Sequence, residues 1–185
     1  KIHLNLIKME YLKVGIILNK KKKIDFKKRE KELLNLLEKH RGKHGEYDCI
    51  VPGSGGKDSC YASHVLKFKY GMNPLTVTWP PILYTGYGYK NFKNWIKSGK
   101  FSNISAKRDE GTMIKLTKLA VLNLMHPFQT FMLGQKNYPI QIALKKNIPL
   151  VFYGENEAEH GNPIADNKSS LRNKSYFAYK NINSI

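Results

Sequence analysis

The chain has 185 residues and a formal net charge of +18 at pH 7, with 32 Lys and Arg against 14 Asp and Glu. Its 41% hydrophobic and 11% aromatic residues are typical of a packed globular fold and argue against a disordered or collagen-like chain. No apolar run approaches the roughly 18 residues that cross a bilayer, and no signal-peptide core stands near the start. We therefore predict a cytoplasmic protein with no membrane partner.

The excess positive charge is mostly lysine, since the sequence holds 28 Lys and only four Arg. Clustered positive charge is typical of nucleic-acid binding, but paired recognition of phosphates and bases favours Arg. The composition therefore argues against a nucleic-acid partner and indicates a general bias towards Lys, Asn and Ile. Cys49 and Cys60 stand eleven residues apart without a CxxC motif, so they predict neither a zinc ribbon nor a redox pair.

Along the chain, residues 1–23 show neither a clean hydrophobic period nor helix caps, which predicts a poorly ordered basic leader. Asp25 is suited to cap an amphipathic helix that runs to about His40. Short apolar runs then alternate with helical patterns, which predicts βαβ units and a parallel sheet. The predicted strands are residues 47–52, 74–79, 103–106 and 149–153, and the predicted helices are residues 58–70, 89–97, 109–124 and 136–146.

The last predicted strand and the residues that end the chain carry separate predictions. The last strand is a continuous apolar run, which is typical of the middle of a parallel sheet. Residues 165–185 are polar, have little to bury and are predicted to be a tail.

The strongest chemical signal lies between the first predicted strand and the next helix, in the segment Ser54-Gly55-Gly56-Lys57-Asp58-Ser59. Two glycines allow the backbone to curl around an anion, and the amides at the helix start bind phosphate oxygens. The two serine hydroxyls and the charge of Lys57 suit the same phosphates, and Asp58 is placed to cap the helix or hold Mg²⁺. The segment is not a Walker A loop. It is not a GxGxxG dinucleotide motif either, because Asp58 stands where the third glycine is needed.

This loop resembles the SGGxDS loop of the PP-loop ATP pyrophosphatases, which adenylate a substrate oxygen and release pyrophosphate. Other segments, including His126-Pro127-Phe128-Gln129 and the Trp-containing residues 91–96, extend the resemblance. Together they resemble the N-acetyl sugar amidotransferase family, and within it the branch that modifies pseudaminic or legionaminic acid precursors. The further segments are residues 25–32, 47–52, 78–79, 83–85, 134–137 and 149–156.

The resemblance spans about residues 24–164 and implies an α/β fold with an open parallel sheet and helices on both faces, of the adenine nucleotide alpha hydrolase-like (HUP) type. It implies the cofactors ATP and Mg²⁺. The implied reaction converts the acetamido group of an N-acetyl sugar or sugar nucleotide to acetamidino. The carbonyl oxygen is adenylated with release of pyrophosphate, and ammonia from a glutaminase subunit then displaces AMP.

The predicted site combines the loop with the carboxyl ends of the strands, where open α/β sheets bind ligands. The predicted catalytic residues are Lys57, Asp58 and Glu155, and the last two are also the predicted Mg²⁺ ligands. The predicted nucleotide-binding residues are Ser54, Gly55, Gly56, Lys57, Asp58, Ser59, Thr78 and Trp79. The predicted substrate-binding residues are Gln129, Gln135, Lys136 and Asn156.

The residues leave several alternatives open. Trp79 is equally suited to the core, and a turn after a strand also explains Glu155 and Asn156. The aromatic residues 84–95 either stack on a sugar or form the buried face of a helix.

Two other functions also stay open. A lysidine-type tRNA-modifying enzyme would use the +18 charge to bind RNA. The family usually begins with a cysteine-rich, zinc-binding segment, and residues 1–23 contain no cysteine. Together with the unmatched tail, this predicts a fragment, either still catalytic or reduced to nucleotide binding.

Overall fold

The computed structural model describes residues 25–43 and 45–155 of the chain. The predicted leader and tail, residues 1–23 and 165–185, lie outside the described residues. The chain divides into two compact units, Lys1–Lys39 and His40–Ile185. Within the described ranges, no helix combines the length and the apolar character needed to cross a membrane.

In the first unit, the described chain is almost entirely one helix, α1 (Phe26–His40). The Lys28 N–H donates to Asp25 Oδ1 at 3.0 Å, so the predicted N-cap is confirmed. Leu37 is fully buried, whereas Phe26 is 70% exposed. The helix ends at the predicted residue, which confirms both of its boundaries.

The second unit is built around a parallel sheet. Its strands, in spatial order, are β1 (Cys49–Pro52), β2 (Pro74–Thr78) and β3 (Asn103–Ser105). On the other side of β1, Val151 forms a parallel bridge with Ile50. The chain therefore moves outward from β1 to β3 and then returns to the opposite side of β1. Such a reversal is a topological switch point, where open α/β sheets bind ligands.

The helices of this unit connect the strands. They are α2 (Lys57–His64), which continues as the π-helical segment Val65–Lys69, then α3 (Gly86–Gly99), α4 (Glu110–Leu124) and α5 (Gln129–Lys146). Gly71, with a φ of +64°, follows the π-helical segment, as predicted for the residue that stops this helix. Asp109 caps α4, since its Oδ2 accepts from the Thr112 N–H at 2.7 Å.

The strand side chains alternate between two faces of the sheet. The core on one face consists of Ile50, Leu75, Val77, Ile142, Ala143 and Ile148, so α5 covers this face. The intervening residues Val51, Thr76 and Thr78 point to the other face and are fully buried. Parallel crossovers are almost always right-handed, which places α2 and α3 on the face opposite α5. The predicted α/β class with an open parallel sheet is confirmed.

Two helices begin earlier than predicted. Thr85 caps α3 by accepting from the Gly88 N–H at 3.0 Å, so the helix begins at Gly86 rather than at residue 89. Glycines at this position indicated a loop because glycine has low helix propensity. The last helix, α5, begins at Gln129 rather than at residue 136 and contains Pro139. Its start was missed because proline and glycine interrupt the helical pattern.

The first and the last of the predicted strands are both shorter in the structure. The first strand begins at Cys49 rather than at residue 47, because the buried Asp48 carboxylate accepts backbone N–H groups from Gly42 at 2.5 Å and Asn73 at 2.7 Å. The last predicted strand, residues 149–153, forms one bridge at Val151, which is only partly buried. Within the described part of the chain it pairs with β1 alone, so it does not lie in the middle of the sheet.

Candidate functional site

The glycine-rich loop connects β1 to α2 at the switch point. Gly53 N–H donates to Val77 O at 3.0 Å, which fixes the start of the loop against β2. Gly55 has a φ of +93°, and a Cβ at this position would lie 2.6 Å from the backbone N and Cα of Phe92 in α3. Gly55 therefore has to be glycine for two separate reasons, its backbone conformation and the close approach of α3.

Gly56 serves a different purpose in the same loop. Its φ of −72° and ψ of 156° suit any residue, and a Cβ added here would have no atom within 4 Å. Gly56 is the N-cap of α2 and provides no side-chain cap, so the predicted cap, Asp58, lies instead in the first turn. The first amides of α2 therefore receive no hydrogen bond from an N-cap side chain, which suits an anion.

A cleft opens beside this loop, and we call it the first cleft. It is lined by Pro52, Gly53, Ser54, Gly56, Asp58, Ser59, Val77, Trp79, Phe131, Gln135, Lys136, Pro139, Tyr153, Gly154 and Glu155. These residues come from the loop, the ends of β1 and β2, the segment after Val151, and α5. Eight of the predicted site residues are among them, so the structure brings together the loop, both carboxylates and part of the predicted substrate-binding set.

Glu155, which provides the second carboxylate of the cleft, is positioned by a close backbone contact at its neighbour Gly154. A Cβ on Gly154 would lie 2.7 Å from the backbone C and O of Asp58 and 2.9 Å from Ser59 N. The chain after Val151 is thus pressed against the first turn of α2. This contact places Glu155 and Asp58 on the same cleft.

Four of the predicted site residues that the structure describes do not line the first cleft. The Lys57 side chain is 91% exposed, and its Nζ lies 2.9 Å from Asp58 Oδ1. Thr78 is fully buried, and its hydroxyl accepts from Asn103 Nδ2 at 3.0 Å. Gln129 begins α5 away from the lining residues, and Gly55 faces α3. Asn156 lies outside the described residues, as do the loop residues that follow it.

The wall opposite the loop is formed by β2 and α5. The Trp79 indole packs against Gly134, where a Cβ would collide with the ring, and against Tyr138 at 5.7 Å between ring centroids. Its Nε1 is buried and has no acceptor among the described residues. Lys136 Nζ lies 5.3 Å from the centre of the Tyr153 ring, which holds a positive charge on this wall.

Sequence reasoning predicted Gln135 in this wall but missed its neighbours Phe131 and Pro139. Phe131, Gln135 and Pro139 line the cleft at a spacing of four residues, which is one face of a helix. The prediction that α5 begins at residue 136 hid this regularity, whereas a start at Gln129 would have revealed it.

The donor set fits Mg²⁺ bound together with phosphates. Asp58 and Glu155 supply carboxylate oxygens to the same cleft. No group of three or more His, Cys, Asp or Glu side chains capable of holding a metal occurs in residues 25–43 and 45–155. Mg²⁺ is commonly held by one or two carboxylates plus substrate phosphates, so the pair is sufficient in that setting.

The thiols are unsuited to nucleophilic chemistry. Burial, reinforced by the nearby charge of Asp48, raises the pKa of Cys49 to about 12. Burial also raises the pKa of Cys60, which is half-buried. Both side chains are therefore protonated near neutral pH.

A second cleft opens on the other side of the loop. It is lined by Ser54, Gly55, Gly56, Pro81, Leu83, Tyr84, Thr85, Gly88 and Asn91. Ser54 and Gly56 thus line both clefts, and the glycine-rich loop separates them. Gln129, Gln135 and Lys136, the described members of the predicted substrate-binding set, do not line it.

Part of the chain is similar to an archaeal protein. No family model matches the chain. A segment of 53 residues is 43% identical to the uncharacterized protein MJ1599 of Methanocaldococcus jannaschii. The match covers 29% of this chain and 19% of that protein, so the chain spans about a fifth of the length of the relative.

Proposed function

We propose that the protein is a PP-loop ATP pyrophosphatase that binds Mg-ATP in the first cleft and adenylates the acetamido oxygen of an N-acetyl sugar. One observation carries the proposal. The loop Ser54–Ser59 lies at the topological switch point, with the open amides of α2 and the carboxylates of Asp58 and Glu155 on one cleft. The family resemblance of the sequence supplies the acceptor.

Each side of the cleft has a role in the first step. The loop amides and the hydroxyls of Ser54 and Ser59 donate to the β- and γ-phosphates and stabilise pyrophosphate as it leaves. Asp58 and Glu155 would hold Mg²⁺, which would supply positive charge beside the same phosphates. The sugar carbonyl oxygen forms a bond to Pα while the bond from Pα to the bridging oxygen of pyrophosphate breaks. The carbonyl carbon becomes more electrophilic as a result.

The second step requires ammonia, which the proposal assigns to a glutaminase subunit. Ammonia adds to the activated carbon, the bond from this carbon to the AMP oxygen breaks, and AMP leaves. Loss of a proton from nitrogen gives the acetamidino group. Positioning by the cleft accelerates both steps because it holds the reacting groups together.

The cation that serves this cleft is Lys136 rather than Lys57. Lys57 is part of the loop, but its side chain points to solvent and pairs with Asp58. Lys136 lines the cleft across from the loop. We therefore assign charge neutralisation of the phosphates to Lys136, which the sequence had suggested only as a substrate contact.

Two variants that remove the same charge test this proposal. We would incubate the wild type, Lys136→Met and Lys57→Met with Mg-ATP, ammonium and UDP- or CMP-linked N-acetyl sugars. The wild type should release AMP and pyrophosphate only when sugar is present, and the sugar should gain NH in place of oxygen. Lys136→Met should lose at least tenfold in rate, and Lys57→Met less than threefold.

The outcomes separate the proposal from its rivals. Equal losses in both variants would contradict the role of Lys136. ATP binding without AMP formation would favour a nucleotide-binding protein that lacks catalysis. Salt-sensitive retention of bulk tRNA, which the net charge of +18 favours, together with tRNA-dependent AMP release, would replace the sugar by RNA as substrate.

A further inference from the structure

The second cleft shares the loop with the first but differs from it in charge. The first cleft contains Asp58, Glu155 and Lys136. The second cleft has no charged side chain among the described residues that line it. The charged first cleft is suited to a charged ligand. The neutral second cleft beside it is suited to a neutral ligand that reacts with the charged one. We propose that the second cleft is the acceptor subsite and that it binds a neutral acylamino sugar ring.

The walls of the second cleft are fixed before any ligand binds. The Tyr84 ring packs against Tyr89 at 5.7 Å and Phe92 at 6.0 Å, between ring centroids. Arg108 donates to Pro81 O at 2.9 Å and holds the segment after β2 in place. Preformed walls reduce the ordering cost of binding.

The lining chemistry matches the two faces of such a sugar. An aromatic ring packs against the C–H face of a pyranose, and Tyr84 with Leu83 provides such a surface. The amide of Asn91 donates and accepts hydrogen bonds, which complements the N–H and C=O of an acetamido group. Leu83 is 85% exposed, so this apolar surface is open to a ligand from solvent.

The second cleft adjoins the first at the glycine-rich loop. Ser54 and Gly56 line both clefts, so ligands held in the two clefts would meet at the loop. This inference rests on the proposed function for its choice of an N-acetyl sugar. The test of this inference therefore measures the binding of the nucleotide and the binding of the sugar in separate experiments.

Asn91 and Asn94 provide a matched pair for this test. Both are exposed on α3, but only Asn91 lines the cleft. We would measure the binding of methyl N-acetyl-β-glucosaminide by saturation-transfer NMR, with methyl β-glucoside as the ligand without the acetamido group. The proteins are the wild type, Asn91→Ala, Asn94→Ala and Tyr84→Leu. Calorimetry would measure the Kd of each for a Mg-bound non-hydrolysable ATP analogue.

We expect Asn91→Ala and Tyr84→Leu to weaken binding of the acetamido sugar by about tenfold, and Asn94→Ala to leave it unchanged. The Kd for the ATP analogue should stay within twofold in all three variants. Absence of sugar binding at millimolar concentration, or undiminished binding by Asn91→Ala, would overturn the inference. So would equal affinity for the two sugars, or binding of an unpaired oligonucleotide in place of the sugar.

The two proposals fail in different ways. If the wild type binds the sugar but not the ATP analogue, the nucleotide site is refuted and the second cleft stands. If the wild type binds the ATP analogue but not the sugar, the inference about the second cleft is refuted and the nucleotide site stands. If Asn91→Ala lowers both affinities equally, the second cleft is part of the nucleotide site and the inference is wrong.

Discussion

The two adjacent glycines of the loop should respond very differently to the addition of one methyl group. Gly55→Ala places a Cβ 2.6 Å from the Phe92 backbone at a φ of +93°. The left-handed conformation alone costs an L-residue about 1–2 kcal/mol, and overpacking adds about 1–3 kcal/mol. We expect the free energy of unfolding to fall by about 2–5 kcal/mol, which lowers Tm by about 4–20 °C in a chain of this size.

Gly56→Ala should affect binding instead of folding. Its backbone angles suit alanine and its Cβ would meet no atom within 4 Å, so the only stability cost is the poorer N-cap, at most about 1 kcal/mol. The new methyl group would occupy the space in which phosphates approach the α2 amides. We expect affinity for a Mg-bound ATP analogue to fall at least tenfold.

Thermal unfolding followed by circular dichroism, with calorimetry of the ATP analogue, measures both effects. The reasoning predicts low Tm for Gly55→Ala and a near-normal Tm with weak nucleotide binding for Gly56→Ala. A Gly55→Ala protein that unfolds within 2 °C of the wild type would refute the packing argument. A Gly56→Ala protein that binds the nucleotide normally would show that the loop amides do not contact phosphates.

Three further predictions concern the framework of the site. Asp48→Ala, which leaves two backbone N–H groups without their buried acceptor, should lower stability by about 2–4 kcal/mol in urea unfolding; a loss below 1 kcal/mol would contradict it. In the native protein at pH 8, a thiol reagent should modify Cys60 slowly and Cys49 only after denaturant is added; rapid modification of Cys49 would contradict its raised pKa. Hydrogen bonds from Thr112 lower the pKa of Asp109, so its contribution is present above about pH 4 and is lost as the pH falls through the lower folded value. Asp109→Asn should therefore flatten the dependence of Tm on pH below about 4, and an unchanged profile would count against the cap.

The sequence predicted the place of the loop between a strand and a helix start because that pattern is local. A strand, two glycines and a helix start are adjacent in the chain, and their backbone amides act together. The cap Asp25 was predicted for the same reason, since it accepts from an amide three residues away. Asp109 was predicted only as the start of its helix, and the structure shows that it caps the helix in the same way. Local signals were least reliable at α5, where Pro139 lies inside the helix.

The position of each side chain relative to the cleft depends on more distant contacts. Lys57 and Lys136 are chemically identical, and only the fold shows that one points to solvent while the other lines the cleft. The prediction for Thr78 overlooked strand alternation: Val77 lines the cleft, so its neighbour points to the opposite face. The close approach of Gly154 to Asp58 joins residues about a hundred positions apart, and no local pattern indicates it.

The way the helices begin supports a binding role for α2. Side chains cap the other helix starts in most cases: Asp25 serves α1, Thr85 serves α3 and Asp109 serves α4. At α2 the N-cap is Gly56, which has no side chain to offer. A Ser or Asp at this position would stabilise the helix by only a few tenths of a kcal/mol relative to glycine, but it would occupy the amides. The backbone angles of Gly56 do not require glycine. The anion that we propose to bind at the α2 amides would take the place of the missing side-chain cap.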